Sequence, residues 1–258
     1  MKQKLTNLYK LLFELSNEDR LNILLELKKT PMKLSRISQM LTFTVPEAAR
    51  NISRLTEANL IVKDSDGQFH LTPFGEGALL LLPSFEFLSR NEKYFMTHSV
   101  SKLPPQFLAD IGALKESEFI SEIATTLFNA EKMMREAQEY IWVFVDQILA
   151  SSLSIIIEAI NRGVEFRKLM PRNAQIAPEI LALANDPFFT KATSAKKLES
   201  RYLEKIDIAI FLSEKEVAAL CFPNQEGIFD FLSFKSSNKS SHRWAKDLFS
   251  YYWSQSKP

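Results

Sequence analysis

Residues 31–71 read PMKLSRISQMLTFTVPEAARNISRLTEANLIVKDSDGQFHL, and they contain two helix signals followed by a hairpin signal. The apolar residues of the first helix recur at helical spacing: Leu34, Ile37 and Leu41. A second helix begins after Thr44, which stands three residues before Glu47 in the spacing of a capping box. Pro46 falls in the first turn, where its missing N–H does no harm. The spacing therefore predicts two helices separated by a tight break.

The second predicted helix, residues 45–58, has two chemically different faces. Its apolar face is formed by Ala48, Ile52 and Leu55. Arg50 and Arg54 lie four residues apart on the opposite side. Asn59 tolerates the left-handed conformation that commonly ends a helix. The strand-like residues 60–63 and 68–71 then flank a turn of Asp, Ser, Asp and Gly, which predicts a β-hairpin.

Two short helices, a tight break and a hairpin together predict a winged helix-turn-helix, a module that commonly places its second helix in the major groove of DNA. We expect Arg50 and Arg54 to reach base edges or phosphates, and Asn51 to reach an adenine edge. The full predicted DNA-contacting set is Lys33, Ser35, Arg36, Thr44, Glu47, Arg50, Asn51, Arg54 and Lys63. Winged helices also serve as protein-interaction modules, and in that alternative the two arginines form a solvated helix face.

Composition bounds the class of protein. The chain has 258 residues with 46% hydrophobic and 24% charged residues, which is typical of a globular protein with two domains. A single cysteine, Cys221, and no apolar run long enough to span a bilayer predict a cytoplasmic protein without disulfides or membrane contact. The three histidines lie far apart in sequence, so no structural metal site is expected.

The charge balance favours binding as a dimer. The formal net charge of the chain is only +1, and residues 1–90 hold twelve Lys/Arg against ten Asp/Glu, which leaves +2. This is a weak electrostatic footprint for a DNA-binding protein. Asp64 and Asp66 also make the tip of the hairpin acidic. A homodimer would double the binding surface, so we expect dimeric binding.

We divide the chain into a winged helix-turn-helix domain with a dimerisation helix at 1–90, a connector at 91–117 and an α/β effector domain at 118–258. The predicted helix 74–88 contains four consecutive leucines at 79–82, too many for one face of a solvated helix. Such a helix packs against its twin in a dimer, which we favour, or lies between two domains.

The third segment predicts an α/β domain with a mixed sheet, so that the fold class of the whole chain is α+β or α/β. Strand 140–145, helix 153–160 and strand 164–170 form a βαβ pattern. Further strands are predicted at 208–212, 217–222 and 231–234, before a final helix at 242–253.

The second domain offers little for catalysis. It has no glycine-rich phosphate loop, no nucleophile elbow and no Cys paired with a His, so we expect neither an enzyme nor a cofactor; an enzyme with a DNA-binding appendage is the third alternative. Trp142, Arg167 and Arg201 are candidates for binding an unknown small-molecule effector. For the two arginines a structural ion pair with Asp207 or Asp230 is the alternative that we favour, and for the tryptophan a place in the core.

Two motifs of the first domain resemble those of archaeal winged-helix transcriptional regulators of the arsenic-repressor-like kind. They are LTEANLI at 55–61 and LTPFG at 71–75. The rest of the chain resembles the effector domain of methanogenesis-regulatory-type regulators. The matching stretches are LPPQFL at 103–108, IGAL at 111–114, Gly227-x-x-Asp230 and WAKDLF at 244–249 with Tyr252-Trp253. The resemblance implies a DNA-binding dimer that responds to a small molecule.

The segment from Tyr140 to Met170 also resembles a phospholipase-D-type half domain. Enzymes of that type use a His-x-Lys motif, and none of His70, His98 and His242 is followed two residues later by Lys. The resemblance therefore implies the fold alone, used for sensing rather than for catalysis.

Overall fold

The computed structural model describes residues 2–147, 152–174 and 187–258. Its contacts divide the chain into two compact units, Met1–Pro83 and Ser84–Pro258. The helices and strands are numbered below in chain order within the described residues. Each unit is described by itself.

The first unit consists of four helices, a hairpin and the beginning of a fifth helix. The helices are α1 (Lys2–Leu15), α2 (Glu18–Leu27), α3 (Leu34–Met40), α4 (Val45–Glu57) and α5 (Pro73–Arg90), and the strands are β1 (Ile61–Lys63) and β2 (Phe69–Leu71). The two strands pair antiparallel, with Ile61 opposite Leu71, and Met32 adds an isolated bridge to Phe69. Helix-turn-helix and hairpin thus lie where the sequence predicts them.

The core of the first unit is built from the apolar faces of these elements. Its fully buried residues include Ile23, Leu24, Ile37, Ala48, Leu55, Leu60 and Ile61. The helix propensity of these short segments is modest, so their stability comes mainly from burying these faces against one another. Of the four consecutive leucines, Leu79 joins this core, whereas Leu80 and Leu81 are 70% and 61% exposed.

The second unit is built on a seven-stranded mixed sheet. Its strands are β3 (Glu118–Ile120), β4 (Tyr140–Phe144), β5 (Glu165–Pro171), β6 (Leu198–Leu203), β7 (Ala209–Ser213), β8 (Val217–Cys221) and β9 (Ser233–Ser236). The order across the sheet is β3-β9-β8-β7-β4-β5-β6. Only the β4–β5 and β5–β6 pairs are parallel. The predicted βαβ unit and mixed sheet are therefore present, and the phospholipase-D-like half domain stays a prediction.

Helices cover both faces of this sheet. The helices of the unit are α6 (Glu92–Phe95), α7 (Pro105–Ala109), a 3-10 turn (Ile111–Leu114), α8 (Ile123–Glu136), α9 (Leu153–Asn161), α10 (Pro187–Ser194) and α11 (Lys239–Gln255). Alternate residues of β4 enter two different cores. Val143 packs with residues of α8, α9 and α10, whereas Trp142 and Phe144 pack with residues of α11.

The segment predicted as a connector, residues 91–117, is packed into the second unit. Tyr94, Leu103, Ile111 and Leu114 are all buried in the core on the α11 side of the sheet. The Tyr94 hydroxyl also accepts the backbone N–H of Phe222 at 3.0 Å. The prolines do interrupt the helices here, but the short pieces between them carry enough apolar side chains to be buried. The contacts place one boundary between Pro83 and Ser84, whereas the sequence predicts boundaries at 90/91 and 117/118.

The outer edge of strand β6 is covered at Tyr202. Tyr202 and Lys257 exchange two backbone hydrogen bonds, from Tyr202 N to Lys257 O at 2.7 Å and from Lys257 N to Tyr202 O at 3.1 Å. This antiparallel bridge places residues that follow α11 beside a strand that pairs with β5 on its other side.

Candidate functional site

Helix α4 begins with the predicted capping box. Thr44 Oγ1 accepts the N–H of Glu47 at 3.4 Å, and the Thr44 N–H donates to Glu47 Oε2 at 2.9 Å. The Thr44 hydroxyl donates to the same carboxylate at 2.7 Å. These hydrogen bonds lower the pKa of Glu47, so its carboxylate is held in the charged form at the positive end of the helix. Thr44 and Glu47 both remain exposed.

Arg50 lies on the outer face of α4 and is free to reach a ligand. Its side chain is exposed, and it forms no hydrogen bond or ion pair within the described residues. Three further predicted contacts, Lys33, Ser35 and Arg36, are exposed at the start of α3, which packs against α4. Lys63 is exposed on β1, where its ammonium lies 5.7 Å from the centre of the Phe69 ring.

Asn51 does not share this exposed face. It is only 5% exposed and follows the same side of α4 as the core residues Ala48, Ile52 and Leu55. Its burial contradicts the predicted contact with an adenine edge. The error arose because a polar residue at the border of the apolar stripe was assigned to the outer face, whereas the core of this small unit is wide enough to include it.

Arg54 has a protein partner that the sequence did not predict. Its Nη2 lies 2.6 Å from Glu14 Oε1, and its Nε donates to Glu14 Oε2 at 3.2 Å. The hydrogen bonds to Glu14 raise the pKa of Arg54 above its usual value. One signal in the sequence indicates that Glu14 has a cationic partner, although it does not identify Arg54. Glu14 stands between Leu11 and Leu15 on the inner face of α1, and a carboxylate there needs a cation.

The predicted effector-binding residues of the second unit lie close together and are linked by contacts between cations and aromatic rings. The Arg201 and Arg167 guanidinium carbons lie 4.5 and 5.4 Å from the centre of the Trp253 ring, and that of Arg167 lies 5.1 Å from the Trp142 ring. The Lys246 ammonium lies 5.4 Å from the centre of the Trp142 ring. We call these five residues the aromatic–cation cluster. Trp142 itself is buried and donates its indole N–H to Glu165 at 3.3 Å.

The carboxylates that balance Arg167 are not those predicted. Its Nε lies 2.8 Å from Glu165 and 3.9 Å from Glu199, whereas Asp230 lies 3.0 Å from His98. The Nε–H is not aligned on Glu165 as a hydrogen bond, so the pairing is mainly Coulombic. Strand geometry explains the choice. Glu165 is two residues away on the same face of β5, and Glu199 is the register partner of Arg167 on β6.

Two ionisable groups, Asp146 just after β4 and Lys168 on β5, have no charged partner among the residues that the structure describes. Burial raises the pKa of Asp146 and lowers the pKa of Lys168, because in each case it disfavours the charged form. A cavity of 30 Å³ is lined by Val143, Phe166 and other residues of α8, α9 and β7.

Among the residues that the structure describes, no helix has the length and apolar character that a membrane span needs. Nor do residues 2–147, 152–174 and 187–258 place three His, Cys, Asp or Glu side chains where they could hold one metal ion.

Comparison with known proteins shows a related sequence. No protein-family profile matches the chain. The methanogenesis regulatory protein FilR1 of Methanothrix harundinacea (strain 6Ac) is 24% identical over 253 residues, which cover 92% of this chain and 55% of FilR1. The chain thus spans about half the length of the curated relative that it matches. The predicted resemblance to archaeal regulators of the methanogenesis-regulatory type is confirmed.

Solved structures give weaker likenesses. TrmBL2, an archaeal chromatin protein with a novel mode of DNA binding, is 16% identical with a TM-score of 0.42 over 93% of this chain and 94% of that one. NucT from Helicobacter pylori is 11% identical with a TM-score of 0.40 over 55% of this chain and 96% of that one. Both TM-scores are too low to establish a common fold.

Proposed function

We propose that this chain is a DNA-binding transcriptional regulator in which α4 enters the major groove. The observation that carries the proposal is the outer face of α4. A capped helix presents Arg50, which is exposed and forms no ion pair within the residues that the structure describes, beside a second helix and a hairpin. The similarity to FilR1, a protein named as a methanogenesis regulator, agrees with this role.

The exposed polar side chains on and around α4 have two roles in DNA binding. Arg50 reaches a guanine edge or an adjacent phosphate, because a guanidinium can donate two parallel hydrogen bonds to such acceptors. Lys33, Ser35 and Arg36 hold backbone phosphates at the start of α3, and Lys63 holds one beside the hairpin. Phosphate contacts of this kind set the register of the protein on the duplex but do not select the sequence.

The regulator acts as a homodimer. Helix α1 exposes apolar side chains at Leu5, Leu8, Tyr9, Leu12 and Phe13, and α5 exposes Leu80 and Leu81. Such continuous apolar faces are unusual on a monomer and typical of an interface. A two-fold dimer would present two copies of α4 to half-sites about 34 Å apart, the repeat of one turn of DNA.

The second unit senses an effector and does not catalyse a reaction. The absence of a His-x-Lys motif in the sequence argues against phosphodiester chemistry on a phospholipase-D-like sheet. The cations of the aromatic–cation cluster already have rings or carboxylates as partners, so this cluster favours a structural role over a free anion site. Sensing therefore rests on the resemblance to methanogenesis-regulatory-type effector domains.

A binding experiment with matched arginine variants tests the proposal. A duplex is first selected from a random library by the unmodified chain, and its affinity is measured by fluorescence anisotropy at fixed salt. We expect Arg50→Gln to weaken binding to this duplex by about 1–3 kcal/mol. Arg243→Gln removes the same charge from an exposed position on α11 and should leave the affinity within about twofold. If Arg50→Gln and Arg243→Gln bind the selected duplex with the same affinity, Arg50 does not contact the DNA.

A winged-helix protein-interaction module is the second candidate. The balance of only +2 over residues 1–90 and the acidic hairpin tip at Asp64 and Asp66 favour it. If no duplex is enriched from the library at low salt, DNA binding is refuted and this second function takes its place.

A further inference from the structure

Glu14 joins three helices of the first unit. Its carboxylate lies 2.7 Å from Arg20 Nε at the start of α2 and 2.6 Å from Arg54 Nη2 near the end of α4. Its own side chain, in the last turn of α1, is only 10% exposed. Removing a cation from such a buried carboxylate would leave its charge unpaired, which is strongly destabilising.

The ring of Phe13 and two backbone carbonyls complete the arrangement. The guanidinium carbons of Arg54 and Arg20 lie 5.2 and 5.6 Å from the centre of the Phe13 ring. Arg20 also donates to the carbonyl oxygens of Phe13 at 2.9 Å and of Glu14 at 3.2 Å. We call Phe13, Glu14, Arg20 and Arg54 the Glu14 clasp.

Arg54 is held in the clasp by a two-pronged contact. Both its Nε and its Nη2 are directed at the carboxylate of Glu14, a fork geometry that fixes the plane of the guanidinium as well as its charge. A phosphate would have to compete with this pairing. Arg50, one turn earlier on α4, has no such partner within the described residues. Arg54 is therefore fixed by a carboxylate of its own chain, whereas Arg50 remains available to a ligand.

We infer that Arg54 is a positioning residue: through the Glu14 clasp it fixes the angle of α4 against α1, and so determines how accurately Arg50 meets the bases. This inference rests on the proposed DNA-binding function. The Glu14 clasp also joins α4 to α1, whose apolar side chains are exposed. Pairing of two α1 helices in a dimer would therefore set the distance and angle between the two copies of α4.

Two measurements separate positioning from direct contact. The first is the slope of log Kd against log salt concentration, which falls by about 0.9 for each phosphate contact that is lost. The second is the ratio of the affinities for the selected duplex and for a scrambled duplex. A loss of folded protein lowers both affinities equally, whereas a misplaced helix lowers only the specific one.

The variants are Arg54→Gln, Glu14→Gln and the double substitution, with Arg50→Gln as the comparison for a DNA-contacting arginine. We expect Arg54→Gln to lower the affinity ratio about twofold to thirtyfold, the range for residues that couple to a site without touching its ligand, with an unchanged salt slope. Glu14→Gln should lower the ratio by a similar factor, although Glu14 lies on a different helix. The double variant should be no worse than the more affected single variant.

Three results would overturn the inference. A salt slope reduced by about one in Arg54→Gln would make Arg54 a phosphate contact. An unchanged ratio in a folded Arg54→Gln chain would leave the clasp a purely structural role. Additive losses in the double variant would mean that the two residues act separately. If Glu14→Gln does not fold, because Arg20 loses its partner, Arg54→Gln alone decides. Failure of the unmodified chain to select any duplex refutes the proposed function itself, which is a different result from any of these three.

Discussion

Gly75 and Gly77 lie two residues apart in the first turns of α5, and the structure predicts opposite effects for their replacement by alanine. A Cβ on Gly75 would overlap the carbonyl oxygen of Leu60 and lie 3.0 Å from its carbonyl carbon. A Cβ on Gly77 would meet no atom within 4 Å. Both substitutions change helix propensity by nearly the same amount, so the difference between them measures the effect of close backbone packing at Gly75.

The overlap at Gly75 is difficult to relieve. The atom in the way belongs to the backbone, and the Leu60 oxygen is held in place because it accepts the N–H of Thr72 at 3.0 Å. The Gly75 N–H is itself fixed by the Thr72 hydroxyl at 3.0 Å. Overpacking of this kind costs up to about 3 kcal/mol, and alanine recovers about 1 kcal/mol through its higher helix propensity. We expect Gly75→Ala to lose about 2 kcal/mol of unfolding free energy.

Gly77→Ala should gain as much as about 1 kcal/mol, because helix propensity acts there without a clash. Urea unfolding of the full chain, followed by far-ultraviolet circular dichroism, would compare the two variants. The three tryptophans all lie in the second unit, so fluorescence follows that unit separately. A Gly75→Ala chain that unfolds at the same urea concentration as Gly77→Ala would refute the packing argument.

Two further predictions concern single side chains. Thr44→Ala removes the cap of α4 and should cost about 1 kcal/mol in urea unfolding, whereas Thr44→Ser keeps the hydroxyl and should stay close to the original; equal losses in both would exclude the cap as the cause. Lys168 binds its proton more weakly in the folded chain than in the unfolded chain, so its contribution makes stability rise with pH between the lowered pKa and the usual value of about 10.4. Lys168→Met should be more stable at pH 7 and lose this rise, as measured by thermal unfolding across the pH range; an unchanged pH profile would contradict it.

The elements of the first unit could be predicted from sequence because their signals are local. A capping box, an N-terminal proline and a helix-ending Asn each act within a few residues, and the structure contains the capped helix Val45–Glu57 with Asn59 at φ 59°. The βαβ pattern was equally clear, since a continuous apolar strand is typical of a parallel pair.

Long-range pairings could not be read in this way. Arg54 and Glu14 are forty residues apart, and nothing near either residue in the sequence names the other. The partners of Arg167 became evident only once the register of β5 and β6 was known. Burial of Asn51 likewise depends on how widely α2 and β1 pack around α4, which a helical wheel of α4 alone does not contain.

The bridge between Tyr202 and Lys257 has a consequence for solubility. Strand β6 ends the sheet on one side, and an open edge offers unpaired N–H and C=O groups to any other extended chain. The bridge occupies those groups at Tyr202, and the strand carries charged side chains at Glu199 and Arg201, which discourage edge-to-edge association. At this position the residues after α11 thus leave no backbone group of β6 open to pairing with another extended chain.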